Sequence, residues 1–274
     1  MLLACVQSDV VFADVQANLQ HTLTWLEQAG SRGADLVVLP ECMLSGYAYE
    51  SRDQAMPHAL SIDDEVFSIL SEAADQHKLH LTLGFLEKND DKLYNAAALI
   101  GPDGVMGQYR KVHLPHLGID RFVDRGNFPY KPITAGDVKI GLGICYDCSF
   151  PEPMRLLALE GADIVALGTN WPNGAAHTAD IVPPARSMEN HYFFVAANRV
   201  GEENGFGFCG HSSICGPDGI VLAKSNDDRE TILTAEIDVQ QARNKRIERT
   251  KGSHVIDRFA DRVPEFYRGL SDET

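Results

Sequence analysis

Lys139-Ile-Gly-Leu-Gly-Ile-Cys145-Tyr-Asp-Cys148-Ser-Phe-Pro151-Glu-Pro153-Met-Arg155 is the stretch whose reading decides the fold. Lys139 to Ile144 is a short, mostly apolar run, the pattern of a buried strand, and it ends at Cys145. A polar turn follows. Prolines at the first positions of a helix are pre-organised for it, so Pro151 and Pro153 predict a helix that runs on through Glu160. Gly141 and Gly143 inside the strand admit close approach of another backbone or a ligand. A thiol at a strand end, just before a helix, is where α/β proteins place reactive groups. By position alone, a cysteine there is more often a small buried hydrophobe.

Upstream, residues 2–7 read as a buried strand. Val15, Leu19, Leu23, Leu26 and Ala29 fall at helical spacing within 14–29. Residues 35–39 form a second buried strand, stopped by Pro40 and followed at once by Glu41. Residues 43–58 read as a loop, 63–77 as a helix, and 79–86 and 94–100 as strands. Gly101-Pro-Asp-Gly104 is a hairpin turn with glycine at the left-handed position, and its return strand, 105–109, delivers Arg110-Lys111-Val-His113. Residues 113–136 carry few regular signals, which is unusual in a compact domain unless the segment is functional.

Downstream come a strand at 163–167, a loop with Asn170 and Trp171, a helix at 177–190 and a strand at 192–197. A glycine-rich loop at 201–207 leads to strands at 208–215 and 220–223 around a second Gly-Pro-Asp-Gly turn, 216–219. A strand at 231–237 and a helix at 238–250 complete the pattern. Each half alternates strand and helix, then adds a hairpin with the same turn. The expected architecture is α/β, two similar halves forming a sandwich of two sheets with helices outside. With no linker or composition shift, residues 1–274 read as a single domain with 251–274 as a C-terminal tail.

Lys and Arg number 24 against 39 Asp and Glu, a formal charge of −15. That balance argues against nucleic acid or an anionic membrane as partner. It leaves room for an anionic small substrate beside a local cation. No apolar run reaches membrane-spanning length, and the N-terminus lacks the basic start of a signal peptide. The expected compartment is the cytoplasm, and the six cysteines there read as reduced thiols. Cys145-Tyr-Asp-Cys148 matches a C-x-x-C redox motif, so a thiol redox or binding protein is the alternative from a different class. No second cysteine pair supports a zinc site.

Glu41, Lys111 and Cys145 each follow a buried strand, and strand ends in a layered sandwich converge at one edge. A thiol is mostly protonated at neutral pH and needs a base. A carboxylate partly removed from water has a raised pKa and can be that base. A lysine can stabilise an oxyanion, and the backbone N–H after the cysteine can be a second donor. Together they suffice for acyl transfer through a thioester, with no metal or organic cofactor. Each also has a plain alternative: Glu41 as a helix cap, Lys111 as a solvated rim charge. A Cys–His dyad is open to His113, His116, His177, His191 or His211.

Three segments resemble motifs of the nitrilase superfamily of carbon–nitrogen hydrolases. They are Gly33-Ala-Asp-Leu-Val-Val-Leu-Pro-Glu41, Tyr109-Arg-Lys111-Val-His-Leu-Pro115, and Gly143-Ile-Cys145 through Arg155. Ala185-Arg-Ser-Met-Glu-Asn190 and Ala196-Ala-Asn-Arg-Val-Gly201 resemble its downstream segment. The resemblance implies a four-layer α-β-β-α sandwich, usually a homodimer. It implies Glu41 as general base, Lys111 and the Tyr146 N–H as oxyanion donors, and Cys145 as nucleophile. It also suggests that the Asn170–Trp171 loop lines the pocket and that Asp120 stands near the place of a further family glutamate. The expected substrate is a small amide, releasing ammonia or an amine. N-carbamoyl compounds and nitriles are the alternatives.

Overall fold

Residues 1–270 are described by the structure, a computed structural model. The end of the tail expected at 251–274, residues 271–274, lies outside the described residues. The first half runs β1 (Leu2–Gln7), α1 (Val15–Ser31), β2 (Leu36–Val38), α2 (Arg52–Ala55), α3 (Glu65–His77), β3 (His80–Asn89), β4 (Lys92–Gly101), β5 (Gly104–Arg110) and β6 (Ile133–Ala135). The second runs β7 (Val138–Ile144), α4 (Pro151–Leu159), β8 (Ile164–Thr169), α5 (Ala176–Asn190), β9 (Phe193–Asn198), β10 (Glu202–Glu203), β11 (Phe206–Gly207), β12 (Ser213–Cys215), β13 (Val221–Lys224) and β14 (Thr231–Glu236).

Two six-stranded sheets result, in the orders β14-β1-β2-β3-β4-β5 and β6-β7-β8-β9-β12-β13. Read in those directions, both follow the same sequence of pairings: antiparallel, parallel, parallel, antiparallel, antiparallel. The two similar halves expected from the repeated turn are therefore real, and both turn glycines, Gly104 and Gly219, take positive φ. The halves also exchange edges. The last strand of the second half pairs with β1, and the last of the first half with β7.

Alternate residues of β1 serve two cores. Leu3 and Cys5 face the second sheet, with Ile140, Leu142 and Phe194. Ala4 and Val6 face the helices, with Leu19, Leu26, Phe67 and Leu70. Both faces are covered, which is why these strands read as unbroken apolar runs. Burying one leucine such as Leu26 contributes about 1.5–3 kcal/mol. Asp14 starts α1 by accepting the Ala17 N–H, and Leu19, Leu26 and Ala29 then line its buried stripe. A smaller cluster of Tyr47, Tyr49, Leu86, Ile119 and Phe208 lies under the loops above the sheet ends.

Several expected elements differ. The helix expected over 238–250 is one turn, α6 (Gln240–Arg243), because Asn244 leaves helical geometry. Residues beyond it form a hairpin of β15 (Arg246–Thr250) and β16 (His254–Asp257), so the expected tail after 250 begins with paired strand. Gly252 takes the positive φ that the reversal requires. The strand expected over 208–215 is confined to β12, since Gly210 and His211 both adopt positive φ. The loop at 43–58 holds α2 and a 3-10 turn, and 113–136 holds a 3-10 turn, Gly118–Arg121, before β6.

Candidate active site

Glu41 stands three residues beyond the end of β2 and is fully buried; Cys42 after it takes φ +50°. Its backbone threads between two glycines. A Cβ at Gly84 would lie 2.3 Å from the Cys42 nitrogen and 2.6 Å from the Glu41 Cα. A Cβ at Gly168 would lie 2.9 Å from the Glu41 nitrogen. The close backbone approach expected at Gly141 and Gly143 is thus made by Gly84 and Gly168. Gly141 faces Leu157 of α4, and Gly143 faces Met154 of α4 and Leu167 of the adjacent strand β8, so both make room for side chains. Gly84→Ala is expected to lose about 1–3 kcal/mol by overpacking against fixed backbone. Gly141→Ala, which meets only movable leucine methyl groups at 3.0 Å, should lose less. Denaturant midpoints of the two variants check the order, and equal losses would refute this account of Gly84.

Lys111 continues the β4–β5 pairing, its N–H donating to the Asn95 carbonyl at 2.8 Å. Neighbours on an extended chain point to opposite faces. Arg110 accordingly leaves the site and binds Glu87 through two 2.6 Å bonds. The Lys111 ammonium is buried and donates to Glu41 Oε1 at 2.7 Å and Asp120 Oδ2 at 2.6 Å. Asn95 Nδ2 donates to the same Glu41 Oε1 at 2.7 Å and to Asp120 Oδ1 at 2.9 Å. Glu41 Oε2 is buried and has no hydrogen-bond partner among the described residues.

One ammonium therefore faces two carboxylates out of water. Burial raises the Glu41 carboxyl above its ordinary value; Lys111 opposes that rise and Asp120 adds to it. Burial alone would lower the Lys111 ammonium, but Asp120 and Glu41 override it and hold the group well above its ordinary value.

Cys145 directly follows β7, at φ +43°, and opens the 3-10 turn Cys145–Ser149. A non-glycine residue there carries about 1–2 kcal/mol of strain. Asp147 fixes the turn. Its Oδ2 accepts the Ile144 N–H and the Tyr109 hydroxyl, both at 3.0 Å. Its Oδ1 accepts the His113 N–H at 3.2 Å and lies 2.7 Å from His113 Nδ1. Burial, then the Glu41 charge, push the Cys145 thiol up to about 12, while Lys111, Thr169 and Asn170 pull it down. Burial thus favours the protonated thiol beside Glu41. Tyr146 is 39% exposed, and its N–H is one of the leading N–H groups of the turn, which have no acceptor within it.

Of the remaining expected residues, Asp120 lies in the charged cluster. Asn170 lies beside the cysteine, and its Nδ2 donates to the Glu41 carbonyl at 3.1 Å. Trp171 is 4% exposed and packs in the inter-sheet core, its N–H bound by Asn198. The histidines lie elsewhere in the network. His113 binds Asp147, His211 binds Asp180, His116 and His177 are exposed, and His191 caps α5. Cys148 is a buried free thiol whose carbonyl accepts from Arg186. Sequence reading missed Asn95, Tyr47 and Asp147. Only Asn95 left a signal, a lone amide in the apolar run Leu93–Ile100.

A family model described as carbon-nitrogen hydrolase matches residues 2–247. Over 265 residues the chain is 36% identical to a protein named nitrilase from Pyrococcus abyssi, covering 96% of this chain and 98% of that one. It is 34% identical over 236 residues to an (R)-stereoselective amidase of a Pseudomonas species, covering 85% and 83% of the two chains. A variant of the amidase from Nesterenkonia sp. AN1 superposes with a TM-score of 0.82 at 25% identity, over 98% of this chain and 99% of that one. That structure shows the result of Michael addition of acrylamide at its active site cysteine. The motifs on two like sheets, the convergence of their strand ends and a match spanning both halves have one conclusion: the chain is an enzyme of the carbon-nitrogen hydrolase family, within the nitrilase superfamily.

Proposed function

We propose that the chain hydrolyses a small amide through a thioester on Cys145. The observation that carries this reading is the division of labour on Glu41. Lys111 and Asn95 occupy Oε1, while buried Oε2 has no partner among the described residues and is the oxygen free to take a proton. Glu41 removes the Cys145 proton as sulfur attacks the carbonyl carbon. The tetrahedral oxyanion forms between Lys111 and the Tyr146 N–H. The C–N bond breaks, and ammonia or an amine leaves with the proton from Glu41. Water then loses a proton to Glu41 and attacks the thioester; the C–S bond breaks, releasing the acid and restoring the thiol. Asp120 holds the ammonium together with Glu41.

The relative named nitrilase supports nitriles as a second substrate class, attacked by the same thiol. A homodimer is supported by exposed apolar residues on two neighbouring helices, Leu156 and Leu159 on α4 and Ile181 and Met188 on α5. The test is ammonia release across amides, N-carbamoyl compounds and nitriles, with peptide mapping of an acyl adduct trapped in turnover. Amide turnover with the adduct on Cys145 is expected. Its kcat/KM should fall on the acid side with a pKa above the usual carboxylate range, because protonated Glu41 cannot accept the thiol proton. A reversible Cys145–Cys148 disulfide on mild oxidation, without turnover, would instead support the redox class.

A further inference from the structure

We propose that Tyr47, braced by the buried Arg199–Glu203 ion pair, is a positioning residue that sets Asp120 and, through it, the aim of the Lys111 ammonium. This rests on the reading of Lys111 as an oxyanion donor.

Arg199 belongs to the segment Ala196–Gly201, which the mechanism leaves without a task. It is among the largest fully buried side chains in the protein. Its Nη2 donates to the Val10 carbonyl at 2.7 Å and to Asp9 at 3.2 Å, and its Nη1 pairs with Glu203 Oε2. Removing such a pair from water costs several kcal/mol per ion, so a buried pair is weak evidence of stabilisation and calls for another role. The other oxygen of Glu203 shows that role. Oε1 accepts two successive backbone N–H groups, those of Tyr47 and Ala48, both at 2.7 Å. Gly46 makes room for it: at φ +80°, a Cβ there would lie 2.9 Å from Glu203 Oε1. The ion pair thus clamps the loop after Glu41 at Tyr47.

Tyr47 in turn seats the turn that carries Asp120. Its carbonyl accepts the Ile119 N–H at 2.8 Å. Its ring lies where a side chain at Gly118 would be, 2.3 Å from the ideal Cβ, and Gly118 takes φ +47°. Its hydroxyl lies 2.7 Å from Asp120 Oδ2 and 3.2 Å from the Leu117 carbonyl. The single hydroxyl proton goes to the shorter, charged acceptor. Asp120 Oδ2 therefore sits between the Tyr47 hydroxyl and the Lys111 ammonium. An ammonium has three N–H bonds. Glu41 and Asp120 take two, so their positions dictate where the third points. A misplacement of about 1 Å at such a donor costs up to about 100-fold in rate.

Tyr47→Phe removes only the hydroxyl. It is expected to lower kcat about 10- to 100-fold with KM changed less than about threefold and the denaturation midpoint nearly kept. Alkylation of Cys145 by iodoacetamide develops no oxyanion, so its rate should stay within about threefold of wild type. General damage to the site would slow both reactions together. Glu203→Gln keeps an acceptor for the loop but uncouples Arg199, and it should act in the same direction. If Glu203 works through Tyr47, the double variant loses no more than the worse single variant, within about threefold. Losses that multiply, or a Tyr47→Phe enzyme with wild-type kcat, would overturn the proposal while leaving the thioester reading intact. If Glu203→Gln does not fold, Tyr47→Phe with Asp120→Asn replaces the cycle under the same criterion. A wild-type enzyme with no Cys145-dependent turnover would remove the thioester reading and this proposal with it.

Discussion

Cys145→Ala is expected to lower amide turnover by about 10⁴-fold or more with the fold retained. In the proposed mechanism the thiol makes the covalent intermediate. Glu41 is held by Lys111 and Asn95, and Lys111 by two carboxylates. The thiol is pushed up to about 12, so in the proposed mechanism Cys145 starts as a thiol and needs Glu41 at the moment of attack. In the proposed mechanism, what survives the substitution is binding and the oxyanion donors, which alone give modest acceleration. Stability should change by about 1 kcal/mol or less, because alanine at φ +43° carries the same backbone strain and loses one buried sulfur. Steady-state kinetics and a denaturant titration check both halves. Retention of a tenth of wild-type turnover would show that another residue is the nucleophile.

Lys111→Met should carry the second large effect, on rate and stability together. Loss of one oxyanion donor costs about 10²–10³-fold in kcat. Loss of the cation also leaves Glu41 and Asp120 facing each other out of water, and breaking a buried pair by removing one partner costs about 3–5 kcal/mol near neutral pH. The pH dependence has a definite sign. Burial already raises the folded-state pKa of Glu41 above its unfolded value, so the native state holds that proton more tightly than the unfolded chain does. Such a group favours folding below its unfolded pKa, and that contribution is lost as pH rises through the folded pKa. Without the ammonium the Glu41 carboxyl rises further. The stability deficit of the variant should therefore be small in acid and grow from about pH 4 upward. Urea midpoints of both proteins across that range measure it, and parallel profiles would contradict the assignment. Adding Glu41→Gln to Lys111→Met should recover part of the deficit at neutral pH by removing one of the two stranded charges.

Local pattern carried the fold and the three reactive groups because each depends on neighbours in the chain. Apolar runs marked the strands since both faces of each sheet are covered. Pro40, the β5 return and the Pro151 helix start marked where Glu41, Lys111 and Cys145 leave the sheets. The repeated Gly-Pro-Asp-Gly turn revealed the two like halves. The same local logic failed over 238–250, where helical spacing yielded to pairing of Arg246–Thr250 with His254–Asp257. At Gly141 and Gly143 the close packing is with side chains, because no strand records which of its glycines will meet a backbone from another element.

The sequence alone therefore determined the α/β elements, their duplication, and a thiol, a carboxylate and an ammonium at strand ends. Which of these groups meet was decided only in three dimensions. Asn95 joins Glu41 to Asp120 across 54 and 25 residues of chain, and Glu203 clamps Tyr47 from 156 residues away. The five histidines, equal candidates in the sequence, are engaged elsewhere or exposed. The physical reason is burial. Out of water every charge and donor needs a partner, and two sheets packed face to face supply partners from segments with no local relation in sequence.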